Sequence, residues 1–330
     1  VSDTDSGAPT PFGPPTPFGP TTPVLDAVVG LCRAALPDES LSVDDLEGLL
    51  CDSEPGAADT LVRQVAATGI GCRGEHGELV AAAVVSLTEV LDRRSAHLQL
   101  LVVHPARRRR GLARELVRAA ETWAAQRGAE ALTVGAGAPF YLFTGVDSRW
   151  TDALCCFEAL GYERTDTELD LVCPTVPART STRGGAKSRS SAQVELAHVG
   201  DDEGAAALDA WVRATYPHWS AELARAARAG TVVVARDAAT GEVVGAAAHS
   251  VGRLGVIGPV AVDPSRHGGG VGALLMAAVL SDLSAAGLRT AEIAWTSTVR
   301  FYRQVCDARV GRASVVLRRD LSGRAVAFGP

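Results

Sequence analysis

Residues 101–117 read LVVHPARRRRGLARELV and residues 260–276 read VAVDPSRHGGGVGALLM. Val103-His104-Pro105 aligns with Val262-Asp263-Pro264, and Arg108, Gly111 and Ala113 align with His267, Gly270 and Gly272. Gly128 aligns with Gly287. The offset is constant at 262 − 103 = 159, with no gap across the segment. Such self-similarity restricts the fold more than any composition does, because one supersecondary unit must be built twice. A length of 330 residues with 47% hydrophobic content suits two domains of about 150 residues each.

Hydrophobic periodicity predicts the same elements in both halves. In the first, helices are expected over 23–36, 42–50 and 57–68, strands near 70–73, 78–90 and 96–103, and a long helix over 111–127 stopped by Gly128. A strand at 131–135, a helix at 151–160 and a strand at 162–172 complete it. In the second, a strand at 193–198 precedes helices 203–215 and 220–229 and strands 231–236, 242–250 and 254–262. Helix 270–286, strand 290–294, helix 297–305 and strand 308–319 follow. The first half lacks an obvious opening strand and carries an extra segment, GAGAPFYLFTGVDSRW. PTPFGPPTPFGP at 9–20 is too proline-dense for a helix or a central strand, so 1–22 is expected to be a disordered arm. PTVPARTSTRGGAKSRSSA marks a linker over 174–192 between domains 23–173 and 193–330.

The duplicated stretch is an apolar strand, a proline, a small-residue loop and a helix start. The first helical amides have no intrahelical partner, and the macrodipole adds about half a positive charge there. Small residues let a phosphate approach those amides. With Arg108 and Gly111-Leu112-Ala113, and with His267 and Gly270-Val271-Gly272, both segments resemble the [Q/R]-x-x-G-x-[G/A] motif of the GCN5-related N-acetyltransferases. The resemblance covers both halves. It implies an α/β fold of two tandem domains, each a mixed, mostly antiparallel central sheet flanked by helices.

The resemblance further implies that the loops bind the pyrophosphate of acetyl-CoA and that the preceding strands pair with its pantetheine arm. The cofactor residues are then Leu101, Val102, Val103 and Arg108, Arg109, Arg110, Gly111, Leu112 and Ala113 in the first copy. In the second they are Val260, Ala261, Val262 and His267, Gly268, Gly269, Gly270, Val271 and Gly272. His267 departs from the motif. A second family landmark, with a tyrosine that protonates the leaving thiolate, places Tyr302 in TVRFYRQVCDA; the first copy has Phe157 there, which cannot donate a proton. Many relatives carry a glutamate on the strand before the loop, and neither copy has one. His97 is the first copy's candidate base, and His249 and Glu292 are weaker candidates in the second. The extra segment lies where acceptors enter in this family, so Tyr141, Asp147 and Trp150 are expected to line a pocket for a small-molecule amine.

A net charge of −6 and the loss of three arginines from the second copy argue against nucleic acid as a partner. The seven cysteines show no CxxC or Cys/His spacing, so no metal is expected. No apolar run approaches the roughly 18 residues of a membrane span and no signal-peptide pattern opens the chain, so a cytoplasmic monomer or homodimer without membrane contact is expected. A non-catalytic acyl-CoA sensor is the competing class.

Overall fold

The computed structural model describes residues 12–50, 61–176 and 194–322. The first copy runs β1 (Thr16–Phe18), α1 (Thr22–Ala35), α2 (Val43–Leu50), β2 (Val62–Arg73), β3 (Leu79–Val90) and β4 (Arg93–Val103). It continues through α3 (Leu112–Ala125), β5 (Ala131–Val134), the short β6 (Val146–Asp147), α4 (Thr151–Ala159) and β7 (Glu163–Pro174). The second runs β8 (Val194–His198), α5 (Asp202–Thr215), α6 (Ser220–Ala229), β9 (Val232–Asp237), β10 (Val243–His249) and β11 (Val256–Val262). It ends with α7 (Val271–Ala285), β12 (Thr290–Ile293), α8 (Val299–Cys306) and β13 (Arg309–Asp320). The tandem α/β organisation expected from the duplication is the organisation observed.

Two local expectations are corrected. Residues 57–60 lie outside the described residues, but the rest of the expected helix 57–68 is the start of β2. This strand pairs with β3 from Val62↔Val90 to Arg73↔Leu79. Long antiparallel pairing outweighs the modest helix preference of an alanine-containing segment. The supposedly missing opening strand lies inside the proline-rich stretch, and 16–18 is therefore not disordered. Thr16–Phe18 pairs with Gly69–Gly71 at the sheet edge, the one place where such a sequence can join a ladder. The Phe18 ring lies against Gly69, where any Cβ would displace it, while a Cβ on Gly71 would press on Leu79 at 2.7 Å.

All thirteen strands join one sheet among the described residues, in the order β1-β2-β3-β4-β5-β13-β7-β12-β11-β10-β9-β8, with β6 alongside β13. The copies exchange their last strands. β13 pairs antiparallel with β5 of the first copy through Leu317↔Val134, and β7 pairs antiparallel with β12 of the second through Leu171↔Ile293. β7 and β13 also pair with each other, closing the centre. The 23–173 and 193–330 segments are thus contiguous in sequence but not in the sheet.

Strand alternation sends side chains to both faces. In β3, Ala81, Ala83, Val85 and Leu87 join the core under α3, while Ala82 and Val84 join the core under α1 and α2. The α2 and α6 helices meet across the seam. Arg225 donates to the Gly48 carbonyl at 2.9 Å, and Ala221 packs into the cluster of α1 and α2. Helices α1, α2 and α6 therefore share one face of the sheet. No helix among the described residues is long and apolar enough to cross a membrane.

Candidate active sites

Each duplicated loop is built alike. A one-turn 3-10 helix, Pro105–Arg107 or Pro264–Arg266, is capped by the side chain just before it: His104 accepts from the Ala106 amide at 3.3 Å and Asp263 from the Ser265 amide at 2.8 Å. The chain then turns into α3 or α7 through a left-handed glycine, Gly111 at φ +86° and Gly270 at φ +87°. Neither helix has a side-chain N-cap hydrogen bond, so its first amides are left for another acceptor. A Cβ on Gly111 or on Gly268 would meet nothing within 4 Å, so the loop surface is open. This combination fits a pyrophosphate.

The four arginines divide by role. Arg107 pairs with Glu78 at 3.5 Å and lies over the Phe12 ring. Arg108 turns inward, donating to the carbonyls of Val103 at 3.4 Å and Ala35 at 3.1 Å. Arg109 and Arg110 are exposed and available to a phosphate. Arg109 sits at φ +62°, the position of Gly268 in the second copy at φ +75°. In the second copy, Gly272 stands where Ala113 stands in the first. A Cβ on it would come within 3.1 Å of Phe301 on α8, so the glycine there serves helix packing.

The strand before each loop is half free. β4 is paired in parallel with β5 only over Ala96–Leu98, and β11 with β12 only over Val256–Ile257. Beyond these forks the strands part. The His104 amide donates to Val80 on β3, so by alternation the amides and carbonyls of Leu101 and Val103 face the gap. The Asp263 amide donates to Val244, which turns Val260 and Val262 the same way. Both gaps can accept an extended amide-bearing arm, as a further strand would.

The forks differ on the side of α1, α2 and α6. In the first copy, Gln99 is 2% exposed and its Nε2 donates to Ser86 Oγ at 2.9 Å and the Phe140 carbonyl at 3.2 Å. Gly137 presses so closely on that amide that no Cβ fits. The extra segment therefore fills its own copy's fork. The second copy has Gly258 at the position of Gln99, which carries no side chain.

Tyr302 lies on α8, packed edge-on to Phe301 with ring centroids 4.9 Å apart. Burial pushes its phenol up to about 12 and keeps the proton on at neutral pH. Phe157 is a core residue against Tyr162 at 5.3 Å. His97 donates from Nδ1 to the Gly135 carbonyl at 3.2 Å, leaving Nε2 to the Thr88 hydroxyl at 3.1 Å. Burial holds its pKa down to about 4, so both nitrogens are occupied and the ring is a poor base near neutral pH.

The three residues expected to line an acceptor pocket separate. Asp147 is fully buried. Burial alone would raise its carboxyl, but hydrogen bonds from Arg149 (2.6 Å) and the nearby Arg312 (3.3 Å) outweigh this and hold it low. It is committed to two arginines and is not free for an amine. Trp150 packs edge-on to Phe143 at 5.4 Å, a core contact. Tyr141 alone faces outward from its copy, edge-on to Trp295 of the second at 5.4 Å. In the second copy, Glu292 is held by Arg253 at 2.7 Å, and His249 contacts Ser250 Oγ at 3.0 Å, its pKa lowered by burial.

Several seam residues escaped the sequence reading. Glu39 accepts from Arg312 at 2.6 Å and lies 3.4 Å from Arg253, joining the first helical pair to the second copy. Asp170, inside the apolar run LDLVC, accepts from the Trp295 amide at 2.9 Å and from the Thr144 hydroxyl. A carboxylate within such a run is a readable signal. Glu222, buried on α6, and Arg312 carried none.

A model of the Acetyltransferase (GNAT) family matches residues 30–141 and again 197–307. The chain belongs to this family, twice over. No curated protein matches the sequence. Among solved structures, this tandem GNAT protein resembles the tandem GNAT protein of the clavulanic acid biosynthesis pathway, with TM-score 0.66, 18% identity, and coverage of 95% of this chain and 100% of that one. It also resembles a GCN5-related N-acetyltransferase from Sphaerobacter thermophilus, with TM-score 0.60, 17% identity, and coverage of 93% and 96%. A third is the GCN5-related glucosamine N-acetyltransferase region of a fungal multi-domain GH3 β-N-acetylglucosaminidase, with TM-score 0.73 and 19% identity. That match covers 94% of this chain but 38% of the fungal one.

Proposed function

We propose that this tandem GNAT protein is an acetyl-CoA-dependent N-acetyltransferase acting on a small-molecule amine, with the second copy carrying the chemistry. The observation behind the reading is the duplicated juncture of uncapped helix start and unpaired strand edge. Acetyl-CoA, when bound, supplies the activated acetyl thioester. The residues to hold it are Arg109, Arg110 and the Gly111–Ala113 amides in the first copy, and the Gly268–Gly272 amides in the second. Leu101 and the Val103 amide, or Val260 and the Val262 amide, present backbone groups to its extended arm.

The acceptor nitrogen must be neutral to attack. A gap-facing amide, such as that of Val260, stabilises negative charge developing on the carbonyl oxygen. Tyr302, protonated at neutral pH, supplies a proton to the departing sulfur. The first copy has Phe157 at that position and a filled fork, which favours a structural or ligand-holding task for it. The neighbour from the clavulanic acid pathway makes secondary metabolism the first setting to test.

Native mass spectrometry with acetyl-CoA, followed by thiol release with a panel of amines, tests the reading. Bound acetyl-CoA with turnover of at least one amine is expected. Binding without turnover of any amine would favour the sensor, and no binding would defeat both.

A further inference from the structure

The sheet changes register where the second copy's fork opens. Ile293 is the last residue of β12 paired with β11, and it stands opposite Leu171 of the exchanged strand β7. A continuing ladder would set Trp295 opposite Leu169. Instead the Thr296 amide donates to the Leu169 carbonyl at 3.1 Å, one residue late. Trp295 is the extra residue of this bulge, at φ +51°, a left-handed conformation rare for a bulky side chain. Its amide donates to Asp170 Oδ1 at 2.9 Å, so a side chain of β7 replaces the main-chain acceptor that the ladder has lost.

The bend recurs one repeat earlier. Ala136 has φ +53° and gives its amide to the Phe143 carbonyl of the extra segment at 3.0 Å. The backbone shape is thus common to both copies, but only the second puts a ring on it, and only there does the other copy supply the acceptor. Trp295 is 39% exposed, and Tyr141 stands edge-on to it at 5.4 Å. The Tyr141 main chain is itself seated on the second copy, since a Cβ on Gly252 would come within 2.5 Å of its carbonyl oxygen. Asp170, buried on β7, also accepts from the hydroxyl of Thr144 at 3.0 Å, in the segment that carries Tyr141. One carboxylate of the first copy therefore ties down the main chain under one ring and the segment that bears the other. Arg312 lies 3.8 Å from it, so its oxygens are engaged in holding these groups and not free for a ligand.

We propose that Asp170 is a positioning residue that sets the Trp295–Tyr141 pair beside the second copy's fork, and that this pair selects acceptor amines carrying a flat aromatic group. A bulge next to a site re-aims a side chain, and rings set edge-on offer both a face and an edge to a third ring. A planar group gains from both, whereas a saturated group of the same size does not. The first copy thereby shapes the second copy's choice of acceptor through its exchanged strand and its extra segment. This rests on the second copy being the acetyltransferase centre.

Calorimetry on the full chain, with 2-phenylethylamine and 2-cyclohexylethylamine, tests the pair. The two probes carry the same charge and the same carbon count, so only planarity separates them. The aromatic amine is expected to bind about threefold tighter or more. Trp295→Leu should level the two affinities, while Tyr141→Phe, which keeps the ring, should preserve the preference. Asp170→Ala should level them too, and Asp170→Asn, whose amide oxygen can still accept from Trp295, should preserve the preference. Thr144→Val, a milder change that unties the Tyr141 segment from the same carboxylate, should reduce it. Melting curves identify the folded variants; a carboxylate with only a structural role would lower the melting temperature and leave the ratio of affinities unchanged. Equal binding of the two amines by the parent, or no binding of either at millimolar concentration, would overturn the proposal. An unchanged preference in Trp295→Leu, or in whichever of Asp170→Ala and Thr144→Val folds, would do so as well. Acetyl-CoA is titrated separately. Its failure to bind would remove the acetyltransferase reading, while the amine titrations still decide the role of the ring pair.

Discussion

Arg108 and His267, one repeat apart, place a side-chain nitrogen on equivalent carbonyls: Arg108 Nε donates to Val103 at 3.4 Å and His267 Nε2 to Val262 at 2.9 Å. A guanidinium and an imidazole thus brace the same turn from inside. The Val262 carbonyl also accepts from the Tyr216 hydroxyl at 2.7 Å. The departure from the family motif at His267 preserves the brace. His267→Ala should weaken acetyl-CoA binding at the second site by up to about tenfold, the worth of one hydrogen bond, while His267→Gln stays within about threefold. Calorimetry of the two variants checks this.

The turn depends on backbone shape more than on charge. Gly111 at φ +86° is strained by any side chain, and a β-branched one suffers most. Gly111→Val should lower acetyl-CoA affinity about tenfold or more, whereas Arg107→Ala, which loses the Glu78 pair and the Phe12 contact, should change it by about twofold or less. The reverse order in a titration would contradict the division of roles among the four arginines.

Tyr302→Phe removes only a hydroxyl from a packed ring. Acetyl-CoA affinity and melting temperature should hardly change, while kcat falls by about 10- to 100-fold. An unchanged kcat would return Tyr302 to a packing role.

Glu222 gives a pH signature. Burial pushes its carboxyl up to about 8 from the ordinary 4.5, so the folded protein holds a proton that the unfolded chain releases. Its contribution to stability is therefore full below pH 4.5 and is lost as pH rises through about 8. Glu222→Gln should melt roughly 3 °C or more above the parent at pH values beyond 8, with the gap closing toward pH 5. Melting curves across that range check the sign.

The duplication, both loops and most elements were legible because local signals carry them: a proline, a left-handed glycine, a helical stripe. The β2 helix expectation failed because pairing along β3 decides that segment. Tyr141 was singled out through its segment; Asp147 was expected beside it because Arg312, which joins the neighbouring Arg149 on its carboxylate, reaches it only through the pairing of β6 with β13. His97 looked available because the Thr88 and Gly135 contacts that occupy it are tertiary. Strand exchange leaves no local trace, since the periodicity of β7 and β13 is the same whichever sheet they enter.

That exchange bears on how the chain is made. The edge of β5 is completed by β13, Arg309–Asp320, which follows every other described strand in the chain. During synthesis the first cleft must wait, with an open sheet edge, until the second copy's last described strand has left the ribosome. The half that is translated first is finished last.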